Sequence, residues 1–286
     1  MMRCIIMVLF LITAQAAQAQ SVTEKIRELN LEKCEGPAAS WYSRGFKDRS
    51  AGISSLLGKS AEYFQQNFGV QESWVLAVLD STDWAGVTGI PYGVPFVSGP
   101  PFIVCIPADS RHDLAKIISA AVAGKQLENK YSLTIEEIVN RFTALIGFHE
   151  LGHIYAREYG IVFTNKWTFE FTATYFAYAY LEENFPRENE LWQEVSVLLL
   201  KTLNPAHTSL QDFENLCVQV GVENYAWYQV VFLMQAAEVY RAEGRGFLRE
   251  LKNNVFRDES GSFLVKEWEA IHPGFLQWAA EFGLLP

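Results

Sequence analysis

The feature that most constrains this chain is the five-residue run His149-Glu150-Leu151-Gly152-His153. It lies in a stretch whose periodicity predicts a helix from Ile135 to Arg157, opened by Thr134 and Glu137 at capping-box spacing. On a helix, residues four apart sit about 40° apart and one turn on, so the two imidazoles share a face and can reach one metal ion. That direction coincides with Ile138, Phe142, Leu145, Ile146 and Ala156, which aims both histidines into the core. Glu150 stands about 100° from His149. From that flank a carboxylate can serve a water at the metal without binding the metal itself. Gly152, beside His153, leaves room for another segment to come close.

The competing reading is two core histidines and a glutamate that fall into the pattern by accident. With five histidines in 286 residues, accidental matches number about 0.01 per chain. The capped helix around the motif also supplies the context that a metal site needs.

A catalytic zinc site takes three protein ligands and keeps one position for water. A third histidine six residues after His153 is absent, because Tyr159 stands there. Glu170 is the candidate, on a predicted helix over 166–183 with Asn165 as its cap. Its helical neighbours Trp167, Ala173, Thr174, Ala177 and Leu181 make an apolar, mostly small face. A carboxylate buried there costs several kcal/mol unless a positive group compensates it. Zinc would do so, and so would Lys166 one turn earlier or a buried arginine. Glu158 faces nearly away from the histidines and is the weaker candidate.

His149-Glu150-x-x-His153 followed by Glu170 on the next helix resembles the gluzincin branch of the zincin metallopeptidases. The resemblance is confined to this helix pair. It implies a zincin-like core with Zn²⁺ held by His149, His153 and Glu170, Glu150 as general base, and a sheet edge lining the substrate cleft. The familiar members place an aspartate four residues after the glutamate to orient the first histidine. Here that position is Thr174, so its hydroxyl or a backbone carbonyl takes the part. Together with the 173–178 stretch Ala-Thr-Tyr-Phe-Ala-Tyr, the motif resembles uncharacterised secreted bacterial proteins.

Elsewhere the chain reads as helix-rich α+β, with a small sheet ahead of the active-site helix. Helical spacing runs through 50–67, and 73–80 is a short apolar run typical of a buried strand. Between 90 and 109, five prolines punctuate β-branched and aromatic residues. Any strands over 94–97 and 102–106 are therefore expected at a sheet edge or cut short, and a proline-stiffened loop is at least an equal alternative. Ser110 with Asp113 suggests another helix start, and further helices are predicted over 188–202, 210–220 and 224–243. No linker or repeat divides 20–286, so one domain is expected, in one or two lobes around a cleft.

Residues 1–19 carry Arg3, an apolar run from Ile5 to Ile12 and Ala17-Gln18-Ala19, the pattern of a cleavable signal peptide. The expected address is periplasmic or secreted, with no membrane span in the mature chain. Cys34, Cys105 and Cys217 then remain, enough for one disulfide and a thiol but not for a stapled scaffold. A net charge of −10 argues against a nucleic-acid partner.

The expected function is a zinc metallopeptidase acting on a peptide or protein. The alternatives are a metal-stabilised binding protein without catalysis, and a zinc amidase acting on a non-peptide or cell-wall substrate. A donor for the developing oxyanion is also needed. His207, Tyr225, Tyr228, Tyr240 and His272 are available, and spacing does not choose among them.

Overall fold

Side chains alternate across a strand, and in β3 (Trp74–Leu79) and β5 (Phe102–Pro107) both faces are apolar. Each strand must therefore be covered on both sides. Leu76, Val78, Phe102, Val104 and Ile106 enter the larger core, under most of the helices. Ala77, Leu79, Ile103 and Cys105 face a smaller one, closed by Ile26 of α1 (22–28) and by Trp84 and Val87 of α4 (Ser81–Val87). This computed structural model describes residues 22–254 and 261–283, so the expected signal peptide lies outside the described residues.

The sheet also contains β1 (Glu32–Cys34), β2 (Ser40–Tyr42) and β4 (Phe96–Ser98), in the order β1-β2-β3-β5-β4. The inner pairs β2–β3 and β3–β5 are parallel, and the outer pairs β1–β2 and β4–β5 antiparallel. β4 thus forms an edge, as expected. The 102–106 strand does not: it lies between β3 and β4. The physical reason is where the prolines fall. Pro100 and Pro101 precede β5 and Pro107 is its last residue, so none removes a ladder donor from Phe102–Ile106.

The helical layer consists of α2 (Lys47–Leu57), α3 (Ser60–Phe68), α5 (Asp113–Val122), α6 (Leu127–Tyr131), α7 (Ile135–Tyr159), α8 (Lys166–Asn184), α9 (Pro186–Thr202), α10 (Leu210–Leu216), α11 (Val222–Glu243), α12 (Gly246–Asn253), α13 (Gly261–Ile271) and α14 (Phe275–Glu281). The architecture is helix-rich α+β with a small mixed sheet. α7 packs on β4 and β5 on one side and on α8 on the other, and α11 covers α8. Among the described residues no helix is long and apolar enough to cross a membrane, and no disulfide joins the three cysteines.

Some helix ends depart from the sequence reading. The helical stretch expected over 50–67 is two helices, broken at Gly58, where a Cβ would sit 2.6 Å from the Pro37 backbone. α5 is capped by His112 and not by Ser110: its Nδ1 accepts from the Ala115 N–H at 3.1 Å. Of the 210–220 helix, Cys217–Val220 is a separate 3₁₀ turn.

Candidate metal centre

α7 begins with both halves of its capping box in place: the Glu137 N–H donates to Thr134 Oγ1, and the Thr134 N–H donates to Glu137 Oε2. It runs unbroken to Tyr159 and ends at Gly160, whose φ of 90° belongs to the left-handed region that favours glycine. His149, Glu150 and His153 lie near the middle of its buried face. Gly152 fulfils its expected part: a Cβ there would stand 2.1 Å from the Ala173 carbonyl oxygen. The absence of that atom lets the α8 backbone press against α7, bringing Glu170 and Thr174 to the histidines.

α8 starts at Asn165 by position, but the Asn165 side chain makes no cap bond. Instead α10 closes this end. Glu214 Oε1 accepts from the Trp167 N–H at 2.8 Å, and Lys166 Nζ donates to the Glu214 carbonyl. Lys166 is thereby engaged away from Glu170, which disposes of that pairing, and Glu158 turns to Arg157.

The predicted ligand set is brought together. His149 Nε2 lies 3.0 Å from Glu170 Oε2 and 3.1 Å from His153 Nε2, and His153 Nε2 lies 3.8 Å from Glu170 Oε2. Ligand atoms about 2.0–2.2 Å from a tetrahedral ion stand roughly 3.3 Å from one another. The three donors therefore fit a single ion such as zinc, all three residues being buried.

The proton positions are compatible with the same fit. His149 Nδ1 lies 2.9 Å from Thr174 Oγ1. If that nitrogen donates to the hydroxyl, Nε2 of a neutral ring turns a lone pair toward the Glu170 carboxylate, which is repulsive without a cation between them. Without a metal, the other neutral tautomer relieves this, Nε2–H donating to Glu170 and Nδ1 accepting from the Thr174 hydroxyl, and so does a second proton on His149. Burial pulls its pKa down, but the hydrogen bond and charge of Glu170, with Glu150 beyond, raise it on balance. A metal ion replaces that proton and satisfies all three lone pairs together.

The other groups respond to the same field. Burial would raise Glu170, yet His153, His149 and Gln229 hold its carboxyl down at about 2. Burial pushes His153 down to about 3, against the pull of Glu170. Glu150 is raised by burial to about 8, with His149 opposing and Glu170 assisting, while the Val97 backbone N–H on edge strand β4 helps stabilise its charged form.

Two site residues come from α11. Gln229 Nε2 donates to Glu170 Oε2 at 2.8 Å. Tyr225, one turn earlier, stands near Glu170 and Glu150 and is driven well above the ordinary tyrosine range by burial, then by their charges. Of the five oxyanion-donor candidates, Tyr225 is the one the fold brings here. Tyr228 donates to the Ser209 carbonyl, Tyr240 to Glu183, His272 pairs with Glu243 and His207 lies by Asp212. Gln229 escaped the sequence reading, although a polar residue four positions after Tyr225 on an otherwise apolar helical stretch was the available signal.

No family model, curated protein or solved structure matches the chain.

Proposed function

We propose that the protein is an exported, zinc-dependent hydrolase with a zincin-like core that cleaves peptide bonds. The observation that carries this is the convergence of His149 Nε2, His153 Nε2 and Glu170 Oε2 on one point, with the Glu150 carboxyl buried beside them and against the edge strand. A zinc ion bound there would supply Lewis acidity, making water acidic and polarising a carbonyl.

The chain's own residues do the rest. Thr174 orients His149 through Nδ1, and Gln229 fixes the Glu170 oxygen that faces the histidines. Glu150 takes a proton from the attacking water and returns it to the leaving amine, so one water is added across the C–N bond. The Tyr225 hydroxyl, kept protonated, is the donor for the oxyanion on the former carbonyl. β4 offers a strand edge along which an extended chain can pair.

Burial of all four α7 and α8 residues favours one second reading, a metal held for stability in a non-catalytic binding protein. Glu150→Gln separates the two. The proposal expects full zinc content and a loss of peptide hydrolysis of about 10²–10⁴-fold. Unchanged hydrolysis in the zinc-loaded variant would sink the mechanism, and a wild-type chain that binds zinc but cleaves nothing in a broad peptide library would establish the second reading. Product analysis identifies a non-peptide amide as substrate if one is cleaved instead.

A further inference from the structure

Phe169 precedes Glu170 on α8, and its ring stacks on the His153 ring with centroids 4.2 Å apart and planes 21° apart. Unlike every other aromatic side chain of this helix, it is exposed, at 41%. Val162, in the turn leading into α8, is 64% exposed. These are two of the three large exposed hydrophobics among the described residues. A phenyl ring left in water forfeits the favourable free energy of its burial, and a ring serving only to pack His153 could have been covered like its neighbours Trp167 and Phe171, both fully buried.

We infer that Phe169 forms the floor of an apolar subsite beside the metal, and that the substrate presents a bulky apolar side chain next to the bond cleaved. The inference rests on the metal-centre reading above and adds to it a substrate class. Phe169 stacks on one proposed metal ligand and adjoins another in sequence, so its exposed ring lies beside the path of a group bound at the metal and extending past His153. Burial of the exposed ring then comes from the substrate, which makes side-chain size a determinant of binding. Lys166, the cation of the first turn of α8, is committed to the Glu214 carbonyl.

The test uses the full chain loaded with zinc and amino-acid hydroxamates, whose headgroup binds metal and whose side chains are those of glycine, asparagine, leucine and phenylalanine. Titration calorimetry should show the leucine and phenylalanine compounds binding at least about tenfold more tightly than the glycine and asparagine ones, the scale of an apolar contact in a specificity site. Phe169→Ala should shrink that ratio to about twofold or less, whereas Phe169→Leu, which keeps an apolar surface, should retain most of it. Equal affinities across the wild-type series, or a preference that survives Phe169→Ala, overturns the inference. So does a uniform loss across all four compounds in Phe169→Ala, since the ring would then only position His153. Zinc stoichiometry is measured first: a chain that takes up no zinc refutes the metal reading and the inference with it, while a zinc-loaded chain indifferent to side chain refutes the inference alone.

Discussion

Gly152→Ala is the most incisive structural perturbation, because it places one methyl group between the two helices that carry the ligands. The new Cβ would meet the Ala173 oxygen at 2.1 Å, its carbonyl carbon at 2.8 Å and its Cα at 2.9 Å, all backbone atoms of α8. Ordinary contact begins near 3.4 Å, so the helices must separate locally by about 1 Å. Glycine-to-alanine replacement inside a helix gains about 1 kcal/mol of propensity. Overpacking a close contact costs about 1–3 kcal/mol and more against rigid backbone, so a net loss of about 1–2 kcal/mol is expected. The larger effect falls on the metal. Glu170 and Thr174 flank Ala173 on α8 and move with it, and metal–ligand distances tolerate only about ±0.2 Å. Zinc affinity should drop about 100-fold or more, read by competition with a chromophoric chelator, alongside urea unfolding of the metal-free protein. Gly147→Ala is the control: its Cβ meets side-chain atoms of Leu57 and Ile106 at 2.9–3.3 Å, which can give way. If Gly152→Ala binds zinc as tightly as the parent and unfolds at the same urea concentration, the close approach of α7 and α8 is not what builds the site.

Two further substitutions test the orientation of His149 and the buried cap of α5. Thr174→Val removes the hydroxyl partner of His149 at nearly constant volume and should weaken zinc binding about 10–100-fold, as loss of a ligand-orienting partner does; unchanged affinity in the same competition assay would exclude the orienting role. His112 is held down to about 4, chiefly by burial, with Asp109 and Asp113 opposing and Arg49 and Lys116 assisting. The unfolded chain therefore takes a proton at about pH 6.5 that the folded chain refuses until about pH 4. The stability this group confers is complete above the higher value and is lost as pH falls through the window, by about 2 kcal/mol after allowing for solvent screening. His112→Asn keeps a side-chain acceptor at the α5 N-terminus and should flatten the pH dependence of urea unfolding between those values; a wild-type slope in the variant would discard the assignment.

Much of the centre was legible because helical geometry is local. The spacing of His149 and His153, the flank position of Glu150, the Thr134–Glu137 cap and the need of Gly152 for space all follow from residues within a few turns of one another, and each is realised. Glu170 was reachable for another reason: a carboxylate on a face of small apolar residues demands a cation. What the sequence did not reveal depends on contacts between distant segments. Glu214 replaces the Asn165 side chain as the cap of α8, Gln229 reaches Glu170 across 59 positions, and only the docking of α11 on α8 separates Tyr225 from four equally plausible donors. The prolines misled for a related reason. Their chemistry forbids ladder donors, but whether they lie within a strand or just outside it is set by pairing with β3 and β4.

The central claim is that His149, His153 and Glu170 hold one metal ion. Zinc content measured by elemental analysis on the purified chain and on Glu170→Ala, after dialysis against a weak chelator, tests it directly. One zinc per parent chain is expected and little or none in the variant, with the variant's fold checked by circular dichroism. A parent chain without metal after exposure to zinc, or full occupancy in Glu170→Ala, would contradict it.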